Sequence, residues 1–217
     1  MSVRTPVPRV APPAVPARLG MTPAAAVWVM AGIYAALFSY LSLRRHEAFW
    51  SGRFDLGNMV QAVWSTAQGR PLETTDMFGE QFTRLGAHVD PILVVFTPLA
   101  WTGFLPEALL VCQAVVVACG ALPAFWLGRR WLGDDRLAVA AAAVYLLYPP
   151  LQWATITDFH PVTLAAPLLM FCVWAAEVRR YGVLVVCAVG AALTKEQVGL
   201  ALAMLGLWMA VRGARRA

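Results

Sequence analysis

Two places in the sequence carry side chains that could perform chemistry. Asp55 is a carboxylate just before an amphipathic segment. The run Asp158-Phe159-His160-Pro161 places an acid and an imidazole two residues apart. In an extended segment such side chains face the same way, so Asp158 and His160 could share a metal ion or a phosphate-bound cation. The chemistry to expect from Asp158 and His160 is the binding of a metal ion or of a phosphate through a cation.

Each of these places also has a simpler structural interpretation. A carboxylate at Asp55 could cap the following helix, which is worth about 1 kcal/mol. Asp158 and His160 could form a polar hairpin turn, which the spacing alone favours. Lys195 and Glu196 interrupt the last apolar stretch, and they would either line a wet, protein-walled cavity or form a salt-bridged turn at the headgroups. The residues by themselves leave these alternatives open.

The composition indicates that these residues belong to a membrane protein. Of the 217 residues, 60% are apolar and only 13% are charged, and the mean hydropathy is +0.64. The net charge of +5 does not indicate nucleic-acid binding, because the arginines cluster at the ends of apolar stretches. The four cysteines lie inside apolar stretches and are expected to face lipid or other helices.

The apolar stretches predict an all-α membrane protein with about six transmembrane helices. Residues 1–20, rich in proline, alanine, valine and arginine, are expected to be a disordered cytoplasmic tail before a polytopic domain at 21–217. The predicted spans are 24–43, 107–128, 137–153, 161–178, 181–194 and 197–211. An outer loop at 44–106 separates the first two.

The arginine clusters predict the orientation of these spans. Placing the clusters in the cytoplasm, together with the N-terminus, requires an even number of crossings between each neighbouring pair. Residues 89–104 must then not cross, and Pro91 and Pro98 within them favour an interfacial position. A second interfacial helix is predicted from Leu56 to Ala67, where apolar residues recur at helical spacing. All three histidines fall on the outer side.

Several motifs carry a family resemblance over roughly residues 50–211. They are Phe54-Asp55-Leu56-Gly57, Gln61-Ala62-Val63-Trp64, Gly69-Arg70-Pro71-Leu72, Leu85-Gly86-Ala87-His88, Pro91-Ile92-Leu93, Gln113, Gly120-Ala121-Leu122-Pro123, Asp158-Phe159-His160-Pro161 and Lys195-Glu196. In this order they resemble the bacterial membrane proteins of the domain-of-unknown-function 2079 family (DUF2079). That family's layout is similar to the glycosyltransferase C (GT-C) superfamily, membrane enzymes that use polyprenyl-phosphate sugar donors outside the cytoplasm.

The resemblance implies a GT-C-like N-terminal half and a role for each candidate residue. The superfamily's catalytic base lies just after the first span, a place that Asp55 matches. Its donor-phosphate or metal-binding loop matches Asp158 and His160, although the usual second acid is a histidine here. The residues expected on the donor phosphate are Asp158, His160, Lys195, Glu196 and His88. The implied cofactor is a divalent cation, Mg²⁺ or Mn²⁺, at Asp158 and His160.

The leading hypothesis is therefore a glycosyltransferase-like enzyme of the bacterial cell membrane whose partners are membrane lipids and a polyprenyl-phosphate sugar donor. The alternative is a non-enzymatic membrane protein, either a lipid or solute transporter or a scaffold subunit. Transporters tend to place ionisable groups near the bilayer midplane, whereas the acids here crowd the outer ends of the spans. Because superfamily members usually carry more spans, the resemblance also implies a fragment of a longer protein.

The predicted orientation can be tested by labelling single cysteines in a background without the four native ones. Asp76→Cys should react with an impermeant thiol reagent added outside, and Asp134→Cys should react only after the membrane is opened, because the arginine clusters hold the second position in the cytoplasm. The opposite pattern of labelling would show that the predicted orientation is wrong and that the topology is inverted.

Overall fold

The computed structural model describes residues 21–214, and the predicted tail at 1–20 lies outside the described residues. The described part is mainly helical. Its helices are α1 Pro23–Glu47, α2 Asn58–Ala67, α3 Leu105–Cys119, α4 Ala121–Leu132, α5 Asp135–Leu147, α6 Pro149–Ile156, α7 Ala165–Glu177, α8 Tyr181–Ala192 and α9 Val198–Ala214. Shorter helical segments are a π-helical turn at Arg53–Gly57 and 3₁₀ helices at Arg84–Gly86, Pro91–Trp101 and Pro161–Leu164.

The outer loop also contains a small β-hairpin, which corrects the purely α-helical prediction. Strand β1, Glu73–Thr75, pairs antiparallel with strand β2, Gln81–Thr83. Asp76 closes the turn by accepting hydrogen bonds from the backbone N–H groups of Phe78 and Glu80. Two strands of three residues are too short to show an alternating apolar pattern, so the sequence did not reveal them.

Two helical stretches of the described residues are long and apolar enough to cross a membrane. They are α1, with 25 residues, and the 28-residue stretch Leu105–Leu132, which comprises α3 and α4. The helices α5 and α6 add a third if they form one span, but they meet at a bend of 47°. The remaining apolar helices are shorter. Length and composition therefore indicate two or three crossings, and the predicted count of about six stays a prediction.

The bend within the predicted span 137–153 follows from its prolines. Pro149 is the first residue of α6, and the ring of a proline disfavours helical geometry in the residue before it. Tyr148 is accordingly extended, with φ −66° and ψ 112°. The chain leaves α5 at this point and begins α6 in a new direction. This change of direction carries the end of α6 toward α1 and α3.

A polar junction joins α1 to α6 inside the apolar bundle. The Tyr34 hydroxyl lies 2.9 Å from Thr155 Oγ1, and the Ser42 hydroxyl donates to the Thr155 carbonyl at 3.2 Å. Tyr34 also stacks on Phe38, with ring centroids 4.1 Å apart. Because these buried polar groups are hydrogen-bonded, they fix the position of α6 without the cost of an unsatisfied donor or acceptor.

The segments of the outer loop pack around a cluster of buried apolar side chains. Leu56, Leu93, Leu109 and Phe159 are all buried there, so α2 and the 3₁₀ helix Pro91–Trp101 pack against α3. The helix predicted at Leu56–Ala67 is confirmed as a helix that begins at Asn58. The segment predicted to be interfacial at 89–104 contains the 3₁₀ helix Pro91–Trp101, and the interfacial position of both helices stays a prediction.

A close contact between α4 and α5 gives a test of the packing. At Gly128 in α4, an added Cβ would lie 2.8 Å from the backbone Cα of Ala138 in α5. At Gly206 in α9, it would meet no neighbouring atom of the described residues within 4 Å. Gly128→Ala should therefore lower the free energy of unfolding by about 1–3 kcal/mol through overpacking.

The matched control is Gly206→Ala, which should be neutral or slightly stabilising because alanine favours a helix over glycine by about 1 kcal/mol. The measurement is the thermal midpoint of the purified protein in detergent. Equal shifts for the two variants would contradict the close contact between α4 and α5.

Candidate functional site

A polar cleft lies at the end of the bundle where α1, α6 and α8 stop. Its volume is about 390 Å³. The residues that line it are Phe54, Asp55, Asn58, Met59, Phe82, Arg84, Ala87, His88, His160 and Lys195. Four of the six residues predicted for the site are among them: Asp55, His88, His160 and Lys195. The structure thus brings together residues that are far apart in the sequence.

Asp55 and His160 face each other across this cleft. His160 Nε2 lies 3.3 Å from Asp55 Oδ1, and the side chains are 35% and 55% exposed. The pair is therefore open to a ligand. A carboxylate can take a proton from a bound hydroxyl group, and the contact with the neighbouring imidazole can hold that carboxylate in one orientation. This pair is the part of the cleft suited to proton transfer.

Asp158 lies behind the cleft rather than in its lining. Its Oδ2 accepts a hydrogen bond from the backbone N–H of Gly52 at 2.8 Å. A Cβ added to Gly52 would lie 2.8 Å from Asp55 Oδ2 and 3.4 Å from Asp158 Oδ2. Both carboxylates therefore approach the same face of Gly52, where only the absence of a side chain leaves room for them.

The buried amide of Gln113 in α3 holds the loop that carries Asp158 and His160. Its Nε2 donates to the Asp158 carbonyl at 2.8 Å, and its Oε1 accepts from the His160 N–H at 2.9 Å. Nε2 also lies 3.2 Å from the carbonyls of Ala154 and Thr155. Gln113 is fully buried. One amide therefore sets the direction in which the chain leaves α6.

Two sequence expectations about local geometry are wrong. Asp55 does not cap α2, because it lies inside the π-helical turn and the residue before α2 is Gly57, which has no side chain to accept a bond. Asp158 is not extended, since its φ is +47°, in the left-handed region. The side chains of Asp158 and His160 therefore do not share a face, and they contact Gly52 and Asp55 respectively.

Lys195 and Glu196 do not form an ion pair with each other, although they are neighbours in the turn between α8 and α9. Lys195 is half-buried and lines the cleft. Glu196 accepts a hydrogen bond from the Val89 N–H at 3.1 Å, and its carboxylate lies 3.7 Å from His88 Nδ1. The N–H of Glu196 itself and that of Val89 lower the pKa of the Glu196 carboxyl. Glu196 thus attaches the turn to the outer loop and keeps Lys195 in place.

The geometry does not fit a divalent cation at Asp158 and His160. Asp158 Oδ2 is bonded to the Gly52 N–H, and His160 Nε2 is directed at Asp55. Within residues 21–214, no three His, Cys, Asp or Glu side chains are grouped as metal ligands would be. Such cations usually take several oxygen ligands at short distance. We therefore derive no chemical step through a metal.

The sequence did not reveal the part played by Arg84. It lines the cleft and forms a buried ion pair with Asp90, in which Nε and Nη2 of Arg84 lie 2.7–2.9 Å from the carboxylate oxygens. Arg84 is 4% exposed and Asp90 is 1% exposed. A pair six residues apart in an irregular loop has no periodic pattern by which it could have been predicted.

Long apolar helices with a polar cleft at one end define a helical membrane protein with a site near the ends of its helices. The chain belongs to the family described as "Predicted membrane protein (DUF2079)", whose sequence model matches residues 45–217. The resemblance inferred from the motifs is thereby confirmed for this family. No curated protein and no solved structure matches the chain.

The role of Gln113 can be tested with Gln113→Leu. This change leaves the Asp158 carbonyl and the His160 N–H buried without their partner, at about 1–3 kcal/mol for each group. We expect a lower thermal midpoint and faster hydrogen exchange at the His160 amide. The control is Gln197→Leu at an exposed position, which should change neither quantity. If hydrogen exchange at the His160 amide is unchanged in Gln113→Leu, the Gln113 side chain does not hold this loop in place.

Proposed function

We propose that the protein is a glycosyltransferase-like membrane enzyme that transfers a sugar from a polyprenyl-phosphate donor on the outer face of the bacterial cell membrane. The observation that carries the proposal is the pairing of Asp55 with His160 in a cleft that Lys195 and His88 also line. A candidate base and candidate phosphate-binding side chains therefore border the same cleft. We also propose, as part of this function, that the protein is related to the GT-C superfamily.

In the proposed reaction, Asp55 removes the proton of an acceptor hydroxyl group. The hydroxyl oxygen forms a bond to the anomeric carbon of the sugar, and the bond from that carbon to the phosphate oxygen breaks. The electron pair of the broken bond leaves with the lipid phosphate. His160 Nε2, 3.3 Å from Asp55 Oδ1, holds the carboxylate in the orientation that faces the cleft. The bound proton is then released to water.

The departing phosphate requires positive charge or hydrogen-bond donors on the other side of the cleft. Lys195 supplies an ammonium group that makes no ion pair within the described part of the chain. His88 can donate a hydrogen bond from a ring N–H. Groups aimed at a developing negative charge stabilise the transition state more than the ground state, which is the requirement for catalysis. Asp158 acts behind the cleft by holding Gly52.

The proposal includes the topology predicted from the arginine clusters: about six crossings, a cytoplasmic N-terminus and a cleft on the outer face. The short helix α8 would then cross only a thinned region of the bilayer, since its 12 residues span about 18 Å. The lipid tail of the donor would lie between helices, with its phosphate at the cleft.

The alternative function, a transporter or scaffold subunit, predicts a different position or a different tolerance to mutation for the candidate residues. A transporter commonly binds its substrate near the bilayer midplane on broken helices. The candidate groups here lie instead where α1, α6 and α8 end. A scaffold would tolerate neutral replacements at Asp55. The position of the cleft therefore favours an enzyme acting on a membrane-bound substrate.

The decisive variant is Asp55→Asn. Because Asp55 does not cap α2, its replacement by a neutral side chain of the same shape should leave the thermal midpoint nearly unchanged. The amide cannot accept the acceptor's proton, so turnover should fall by about 100- to 10,000-fold. The measurement is consumption of lipid-linked sugars by the full-length protein in membranes.

The control is Asp76→Asn in the same outer loop, outside the cleft lining, where the amide oxygen can still accept the turn's hydrogen bonds. It should keep the activity. Near-normal turnover of Asp55→Asn in an assay where the wild type is active would exclude Asp55 as the base.

A further inference from the structure

A second cleft lies at the opposite end of the bundle, where α4 and α7 stop. Its volume is about 560 Å³, and Trp126, Arg129, Arg130, Trp174 and Val178 line it. The connections α4–α5 and α7–α8 are at this end, whereas the cleft of Asp55 is formed by the connections after α1, α6 and α8. The two clefts therefore lie on opposite sides of the apolar layer.

The second cleft carries an excess of positive charge. Glu177, whose side chain is only 5% exposed, accepts hydrogen bonds from both Arg130 and Arg212. One carboxylate thus offsets two guanidinium groups. Arg129 forms a more exposed pair with Asp135 at 2.7 Å. Arg180 makes no ion pair within the described residues, which leaves further positive charge at this end of α7.

Aromatic rings form the apolar wall of this cleft. The rings of Trp126 and Trp174 have centroids 4.6 Å apart, and Phe171 packs edge-on against both. The guanidinium group of Arg180 lies 5.5 Å from the centre of the Trp174 ring. Tryptophan is enriched at membrane–water interfaces, where its ring contacts the apolar layer and its N–H faces the headgroups. The wall favours a ligand that is partly apolar.

We propose that this cleft binds the headgroup of an anionic phospholipid. The phosphodiester would lie against the guanidinium groups of Arg129 and Arg180, and the glycerol and upper acyl chains would lie on the Trp126 and Trp174 rings. Guanidinium groups suit phosphate oxygens because they donate several hydrogen bonds from one plane. Basic pockets between membrane helices bind such headgroups by the same combination of charge and apolar contact. The inference does not depend on sugar transfer.

The test uses the full chain purified in a neutral detergent. Phosphatidylglycerol should raise the thermal midpoint by several degrees, whereas phosphatidylcholine and inorganic phosphate at equal concentration should not. The double variant Arg129→Gln/Arg180→Gln should bind phosphatidylglycerol at least tenfold more weakly. It leaves the buried cluster of Glu177, Arg130 and Arg212 intact, so the fold should be retained.

The matched control is Arg44→Gln/Arg70→Gln, which removes the same charge from two exposed local ion pairs outside the second cleft. It should bind phosphatidylglycerol as the wild type does. Native mass spectrometry of the wild type should show phosphatidylglycerol retained in preference to phosphatidylcholine, a result independent of how the variants fold. Equal retention of the two lipids, equal stabilisation by inorganic phosphate, or full binding by Arg129→Gln/Arg180→Gln would overturn the assignment.

Discussion

The amide of Gln113 is the constraint on which the candidate site depends. A glutamine buried in an apolar helix is stable only if its oxygen and nitrogen both find partners, since each unsatisfied group costs about 1–3 kcal/mol. Here the partners are the His160 N–H and the Asp158 carbonyl, on either side of Phe159. The loop cannot change direction without breaking both bonds. The amide therefore fixes where the imidazole of His160 lies.

Two backbone N–H groups of the outer loop donate hydrogen bonds to the turn between α8 and α9, which carries Lys195 of the cleft. The Ile92 N–H donates to the Leu193 carbonyl at 3.0 Å, and the Val89 N–H donates to Glu196. The turn between α8 and α9 is therefore attached to the outer loop rather than free in solvent. The buried pair of Arg84 and Asp90 fixes the same loop from within. Removing one member of a buried pair is strongly destabilising, so both Arg84 and Asp90 are needed to hold this segment in place.

The two ends of the bundle differ in chemistry, and the difference suits different ligands. The end with Asp55 and His160 combines a carboxylate, imidazoles and an ammonium group in a small cleft, which is a set suited to moving protons near a phosphate. The opposite end combines guanidinium groups with indole rings, which is a set suited to holding a lipid headgroup. An apolar layer separates them. Under the two proposals, a lipid headgroup holds one end of the protein and the other end performs the chemistry.

The sequence by itself determined the class of protein and the neighbourhood of the site. The apolar composition indicates a membrane protein, and a chain segment inside the bilayer must satisfy its own backbone hydrogen bonds, as a helix does. The polar residues that interrupt those stretches had to lie near helix ends, and Asp55, His160 and Lys195 do so. Only the tertiary structure decided how they meet. The left-handed Asp158, the π-helical turn at Asp55 and the contact of both carboxylates with Gly52 depend on partners distant in sequence, and no local periodicity encodes them.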